Sequence, residues 1–236
     1  MAYRFDERES TAPPDGMRPS HHVDGDMLLA YAAGTLAQAP SLVVATHLSL
    51  CPACRASLAA AEAVGGALLD DIAPEPVSRK VVADVLTRLD AIVPDAKRKP
   101  PQTEAKSLAG AVLPRCVLDY LPEDLGDLRW SWVSPGVKFS EMLSDGRTRV
   151  GLMQAAAGAP FTPHGHSGPE VTMVLSGGYR DGAVSYQRGD VQSVDESDVH
   201  EPVVDQATEC LALFLTSGPV KPTGLIARIV SRFIGF

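Results

Sequence analysis

The stretch HLSLCPAC contains three residues that could bind a soft metal ion: His47, Cys51 and Cys54. On a continuous helix, spacings of four and three residues would bring all three side chains to one face. Pro52 favours another arrangement, in which one helix ends near Leu50 and a second begins with the proline in its first turn. Cys54 would then lie near the positive end of the helix dipole, which favours a thiolate.

These residue types predict a structural zinc site that lacks one ligand in this stretch. Structural zinc takes four tetrahedral nitrogen or sulfur ligands, and the stretch supplies three. The other histidines in this half of the chain are His21 and His22, either of which could be the fourth. Two core thiols or a redox pair are the alternative. A thioredoxin-like CxxC belongs beside a strand, however, and the patterns here are helical, so we favour a metal.

A second group of candidate ligands lies in GAPFTPHGHSGPEVTMVLSG. On a strand, His164 and His166 point to the same face, and Glu170 can return to the same metal after a short turn. We expect His200 to be the fourth ligand, from a later strand. Solvated histidines on an open sheet face are the alternative. Three imidazoles and a carboxylate suit zinc, iron, manganese or nickel.

The surrounding patterns divide the chain into a helical half and a strand-rich half. Capping residues and apolar periodicity predict four helices in the first half, the third from about Pro52 to Leu69 and the fourth capped by Ser78. In the second half, short apolar runs between turn residues predict an all-β barrel or sandwich, with Asp-Gly hairpins at 144–147 and 180–183. One face of the fourth helix is apolar and consists of Val81, Val82, Val85, Leu86, Leu89 and Ile92.

The stretch between the two halves is typical of a linker, because it is rich in proline, charge and small polar residues and has no apolar periodicity. We therefore predict a disordered extension at 1–20, a helical domain at 21–93, a linker at 94–108 and a β domain at 109–236. Each domain is long enough to bury a core.

Charge and hydropathy limit the partners and the compartment. The net charge is −8, and neither domain has the clustered lysines and arginines that binding to a DNA backbone requires. No apolar run approaches the ~20 residues of a transmembrane helix, and the N-terminus has no apolar signal segment. We expect a cytoplasmic protein that binds neither nucleic acid nor membrane, and whose cysteines are thiols or metal ligands.

Two stretches of the helical half, HHVDGDMLLAYAAGTL and SLVVATHLSLCPACR, carry a resemblance to a known family. An upstream histidine followed by HxxxCxxC resembles the zinc-binding anti-sigma domain, and within that class the ChrR-type anti-sigma factors of bacteria. The resemblance implies a four-helix domain stabilised by zinc. It also implies His22 as the fourth ligand, with His21 as the alternative.

The strand-rich half resembles the cupins. Its pattern G-x5-H-x-H-x3-E-x6-G resembles cupin motif one over the whole length of the motif. Gly189 and His200 have the spacing of motif two, although Asp195 and Ser197 replace a proline and a glycine of that motif. The resemblance implies a β-barrel cupin, or double-stranded β-helix. Zinc in the cupin is implied by the ChrR-type resemblance and not by the spacing.

Together, the resemblances imply a regulator and not an enzyme. The helical domain would sequester an extracytoplasmic-function sigma factor and repress its transcription. A singlet-oxygen or oxidative-stress signal, sensed through the metal cupin, would release the sigma factor. We expect contacts from the apolar face of the fourth helix and from exposed residues of the first helix such as Leu28 and Tyr31.

The alternative function is a metal-dependent cupin enzyme, a dioxygenase or isomerase, with the helical part as an accessory module. Catalysis would require an open coordination position and a base beyond the ligands. The sequence nominates no catalytic residue for that role.

Overall fold

The computed structural model describes residues 18–91, 105–161, 163–165, 167–218 and 221–222, which form a helical segment followed by a strand-rich segment. The helices are α1 Gly25–Ala32, α2 Gln38–Leu50, α3 Pro52–Asp70, α4 Arg79–Asp90 and α5 Arg115–Leu118, with a 3-10 helix at Leu125–Asp127. The strands are β1 Ser107–Leu108, β2 Ala111–Val112, β3 Ser131–Ser134, β4 Val137–Ser144, β5 Arg149–Ala155, β6 His164–Gly165, β7 Glu170–Ser176, β8 Gly178–Asp181, β9 Val184–Gln187, β10 Val191–Val194, β11 Val199–His200, β12 Val203–Val204, β13 Cys210–Thr216 and β14 Lys221–Pro222.

Local signals explain the helix ends. Pro52 begins α3, and the Ser78 hydroxyl accepts a hydrogen bond from the Val81 amide at the start of α4, both as the sequence predicts. α2 begins at Gln38, and Pro40 is tolerated within its first turn. Among the described residues, no single helix is long and apolar enough to cross a membrane. Only α2 and α3 taken together have the length and apolar composition of a membrane span, and they are bent by 118° relative to each other.

The strands form one large sheet and three small ones. The large sheet has the order β10-β7-β13-β5-β4-β3, and the small sheets are β11-β6-β14, β12-β8-β9 and β1-β2. As predicted, the Asp-Gly dipeptides lie at hairpins: 145–146 lies between the antiparallel partners β4 and β5, and 181–182 lies where β8 ends and turns into β9. Gly146 and Gly182 have φ of 84° and 57°, values that favour glycine.

One hydrophobic core joins the helical segment to the large sheet. α2 buries Leu42, Val43 and Val44 in the cluster that also contains Leu152 of β5 and Leu213 of β13. The sequence predicted a core for each half, but apolar side chains on several faces of α2 are covered only when the helix lies on the sheet. His47 is part of α2, so the first candidate site lies at this contact.

The second half of α3 and the whole of α4 lie outside this core. Every described side chain from residue 62 to residue 89 is exposed. Ile92 lies outside the described residues. The apolar positions of α4 therefore remain open to solvent within the described part of the chain.

Three sequence predictions need correction. Leu28, expected as an exposed contact residue, is 8% exposed because α1 turns it into the core, whereas Leu29 is 60% exposed. Residues 18–20, predicted to be disordered, lie against the β segment, where Pro19 is buried and the Ser20 amide donates to Asp190. The predicted linker includes Ser107–Leu108, which form β1; residues 92–104 lie outside the described part of the chain.

Candidate metal centres

The first cluster consists of His22, His47, Cys51 and Cys54, whose ligand atoms all lie within 4.8 Å of one another. His47 Nε2 lies 3.2 Å from Cys54 Sγ. His22 Nδ1 lies 3.3 Å from Cys51 Sγ and 3.5 Å from Cys54 Sγ. Nitrogen and sulfur ligands around tetrahedral zinc stand about 3.3–3.8 Å apart, so the four atoms fit one ion of this kind.

The break between α2 and α3 brings the two cysteines together. Cys51 lies between the helices with φ −104° and ψ 105°, a conformation that the following proline favours. Its amide donates to the His47 carbonyl at 2.8 Å, and its Sγ accepts from the Cys54 amide at 3.4 Å. The sharp turn therefore puts both sulfur atoms beside the imidazole of His47.

Burial changes the ionisation of two members of this cluster. Burial lowers the pKa of His47, which keeps its imidazole in the neutral form that binds metals. Burial, followed by the neighbouring Cys51, raises the pKa of Cys54 to about 11. Two adjacent thiolates repel each other, and a bound cation offsets that repulsion. The donor set is therefore suited to a soft divalent ion.

The structure distinguishes His21 from His22, either of which could be the fourth ligand according to the sequence. His22 contributes Nδ1 to the cluster. The His21 side chain lies instead against the β segment, with Nδ1 3.5 Å from Asp190 Oδ2 and its ring centroid 4.6 Å from that of Tyr186. Only His22 of the pair therefore reaches the cysteines.

The second cluster consists of His164, Glu170 and His200, again with ligand atoms within 4.8 Å of one another. β6 and β11 pair His164 directly with His200, so that their Nε2 atoms are 3.1 Å apart. Glu170 begins β7, and its Oε1 lies 3.8 Å from His200 Nε2. His166, the fourth predicted ligand, lies outside the described residues. Two imidazoles and a carboxylate are a donor set that suits zinc and other transition metals.

A series of side-chain hydrogen bonds supports His200 and was not predicted from the sequence. His200 Nδ1 lies 2.9 Å from Asp181 Oδ2, and the same oxygen accepts from Gln192 Nε2 at 2.6 Å. Gln192 Oε1 accepts in turn from the Tyr179 hydroxyl at 2.7 Å. Burial raises the pKa of Tyr179 well above its ordinary value, which keeps this phenol a donor. The carboxylate makes Nδ1 the protonated nitrogen of His200 and leaves Nε2 for a metal.

The turn at residues 195–198, where the sequence departs from cupin motif two, is stabilised by side-chain hydrogen bonds. The Asp195 amide donates to Asp198 Oδ2 at 2.9 Å, and Asp195 Oδ1 accepts from the Ser197 amide at 2.7 Å. Such short side chains stabilise a turn without proline or glycine. The substitutions therefore keep the turn that leads into β11 and His200.

The remaining buried cysteine, Cys210, belongs to neither cluster. Cys210 begins β13, where burial raises its pKa to about 12. A thiol with such a pKa is protonated at neutral pH and is a weak nucleophile.

The comparisons with known proteins agree with both segments. Residues 123–221 match the family profile of the ChrR cupin-like domain. The chain is 37% identical over 213 residues to the anti-sigma-E factor ChrR of Cereibacter sphaeroides, which covers 90% of this chain and 97% of the relative. The chain belongs to the ChrR family of anti-sigma factors. The family predicted from the sequence is therefore confirmed.

A solved ChrR structure has a similar fold. This chain matches a chain of the crystal structure of Rhodobacter sphaeroides SigE in complex with the anti-sigma ChrR, with a TM-score of 0.67 and 37% identity. The match covers 83% of this chain and 98% of that chain. The predicted order, a helical region followed by a cupin-like region, is confirmed as the ChrR architecture.

Proposed function

We propose that this protein is an anti-sigma factor that sequesters an extracytoplasmic-function sigma factor and represses its transcription. The observation that carries the proposal is the 37% identity to an anti-sigma-E factor over 90% of the chain. The related solved complex contains SigE together with ChrR. Because sigma factors act on RNA polymerase, the proposal places the protein in the cytoplasm.

We propose that the exposed side of α3 and α4 is the main contact for the sigma factor. The five described apolar positions of α4 are 49–56% exposed, although they lie on one helical face. The second half of α3 adds three exposed apolar side chains, and two more follow between the helices. An exposed apolar surface of this extent is typical of a protein interaction site. We call this surface the α3–α4 apolar face, and it consists of Val64, Leu68, Leu69, Ile72, Val77, Val81, Val82, Val85, Leu86 and Leu89.

Charge supports the choice of partner. The chain has a net charge of −8, and residues 62–89, which carry the apolar face, contain five acidic and three basic side chains. A sigma factor must present basic surfaces to promoter DNA, and an acidic partner complements them. Such complementarity mainly raises the association rate and the specificity.

We propose that zinc occupies both clusters. In the first cluster, His22, His47, Cys51 and Cys54 would hold a structural ion that stabilises a four-helix anti-sigma domain at 21–93. In the cupin at 109–236, His164, His166, Glu170 and His200 would hold the second ion, for which iron, manganese or nickel are the alternatives. The metal would supply Lewis acidity there and a position at which a small molecule or oxidant can bind.

We further propose that the cupin receives the inducing signal, singlet oxygen or a related oxidative stress, and that this weakens sigma binding. The resemblance to ChrR-type proteins supports this division of labour. The enzymatic alternative, a cupin dioxygenase or isomerase, is less supported because the chain belongs to an anti-sigma family across both segments.

Co-purification of the full chain with the extracytoplasmic-function sigma factor encoded beside its gene tests the proposal. We expect a stable one-to-one complex that silences transcription from the promoter of that sigma factor. Val85→Asp should weaken the complex at least about tenfold, because a charge would replace an apolar contact. The matched control is Val112→Asp, which changes a valine of similar exposure on β2.

A folded chain that binds no sigma factor would contradict the proposed function. Equal effects of Val85→Asp and Val112→Asp would leave the regulator but reject the α3–α4 apolar face as its contact. Turnover of a substrate with dioxygen by the iron-loaded chain would favour the enzymatic alternative.

A further inference from the structure

The turn before β10 contacts both segments that bring histidines to the first cluster. The Gly189 carbonyl oxygen lies 2.9 Å from His47 Nδ1. A carbonyl can only accept, so Nδ1 carries the proton and Nε2 keeps its lone pair toward Cys54, 3.2 Å away. A residue of the cupin segment thus sets the tautomer and orientation of a candidate ligand on α2.

The next two residues of the same turn hold the backbone that leads to His22. Asp190 Oδ1 accepts from the Ser20 amide at 2.6 Å and from the His21 amide at 2.9 Å. The Val191 amide donates to the His21 carbonyl at 3.1 Å. The carboxylate of Asp190 is only 3% exposed, so these bonds are shielded from competing water.

We propose that residues Gly189–Val191 of the cupin form the outer coordination sphere of the N-terminal metal site, so that the metal affinity of this site depends on the docking of the cupin. Outer-sphere partners orient metal ligands, and their loss typically costs 10–100-fold in affinity. Here such partners reach two of the four candidate ligands, His47 directly and His22 through its backbone. Release of the cupin would therefore loosen the anti-sigma site even though none of the four candidate ligands belongs to the cupin.

A substitution at Gly189 can separate the two segments without touching a ligand. A Cβ at this position would lie 2.6 Å from Pro19 Cγ, and the nearest atoms around it all belong to Pro19. Gly189→Ala should therefore push residues 19–22 away from the turn. Gly146→Ala is the matched control, because Gly146 has a φ of 84° against 93° for Gly189 and nothing within 4 Å of an added Cβ.

Cobalt(II) titration of the full-length apoprotein tests the proposal. Absorption from thiolate-to-cobalt charge transfer reports only the cluster with cysteines, since the ligands of the cupin cluster are histidine and glutamate. We expect the dissociation constant for cobalt to rise about tenfold or more in Gly189→Ala and to stay within about twofold of the parent value in Gly146→Ala. Pro19→Ala in the Gly189→Ala background removes the colliding Cγ and should restore most of the affinity.

The outcomes separate this inference from the metal site on which it rests. Because the cluster is a metal site only under the function proposed above, a parent chain without a thiolate–cobalt band would overturn both. A normal band in the parent together with equal affinities of Gly189→Ala and Gly146→Ala would overturn the inference alone. Should Gly189→Ala fail to fold, Asp190→Asn replaces it with the same expected loss, and unchanged affinity in that variant would also overturn the inference.

Discussion

The two clusters of candidate ligands are similar in size but differ in how the chain assembles them. In the N-terminal cluster, His47, Cys51 and Cys54 come from one helix junction, and two of the ligands are thiols. In the cupin cluster, His164, Glu170 and His200 lie on three strands whose positions are set by sheet pairing and by the core. An ion in the first cluster would hold helices together, whereas the sheets that carry the second are stabilised independently of an ion. The difference predicts separable consequences when each cluster is disrupted.

The largest effect is expected for Cys51→Ser. Loss of one thiolate should release the N-terminal ion, and because structural zinc can contribute on the order of 10 kcal/mol, the helical segment should lose its native packing. We expect the metal content to fall by one equivalent and repression to be lost. Metal analysis and promoter activity measure both effects.

Cys116→Ser is the matched control for this change, because Cys116 lies outside both clusters and its Sγ is 3.5 Å from Thr46 Oγ1. Persistent repression by Cys51→Ser with its metal gone would reject a structural role for the N-terminal ion.

The next largest effect is expected for Glu170→Gln. Without the carboxylate, the cupin cluster should lose its ion while the thiolate–cobalt band of the N-terminal site and sigma binding stay intact. Repression should therefore persist, and induction by oxidative stress should be lost. Reporter induction measures this, with the exposed Glu196→Gln as control. Loss of sigma binding in Glu170→Gln would contradict the separation of the two sites.

A smaller effect is expected for Asp181→Asn, which weakens the support behind His200. Loss of this outer-sphere carboxylate should lower the metal affinity of the cupin about 10–100-fold and leave the N-terminal site unchanged. Competition with a chelator measures the affinity, and Asp119→Asn at an exposed position is the control. An unchanged affinity would show that His200 needs no such support.

The smallest effect is expected for Tyr179→Phe. The change removes the hydroxyl that donates to Gln192 at 2.7 Å, and one buried hydrogen bond contributes roughly 0.5–1.5 kcal/mol. We expect a drop of about tenfold or less in the metal affinity of the cupin, together with a lower melting temperature. Tyr120→Phe is the control, since its hydroxyl only accepts from Gln38 at an exposed position. An effect as large as that of Asp181→Asn would mean that the phenol acts on the metal more directly.

The helices illustrate how far the sequence could predict burial. Both α2 and α4 have apolar positions, but α2 contains no Asp, Glu, Lys or Arg, whereas five of the twelve residues of α4 are charged. In the structure Val43 and Val44 of α2 are fully buried, whereas Val85 and Leu86 of α4 are about half exposed. Helical periodicity identifies an apolar face, but the surface that covers it depends on the whole fold.

The sites illustrate the same limit. Spacing along the chain brought out Cys51, Cys54 and the cupin motif, because ligands on one turn or one strand keep a fixed separation. The role of Asp181 beside His200 was not predicted from the sequence, because an aspartate before a glycine at a hairpin is already explained by the turn. Its contact with His200 depends on how β8 lies against β11. Leu28 was expected on the surface because a single helical turn does not reveal which side the core occupies.

By itself, the sequence determined the family and the order of a helical and a cupin-like region, and it nominated the candidate metal ligands, since these follow from residue type and short-range spacing. Only the tertiary structure decided that His22 and not His21 joins the first cluster, and that the α3–α4 apolar face stays open. It also decided that Gly189 and Asp190 of the cupin contact His47 and the backbone beside His22. The last of these features depends on contacts between residues more than 100 positions apart, such as that of His47 with Gly189, whose sequence separation is 142. Local propensity carries no information about such pairs.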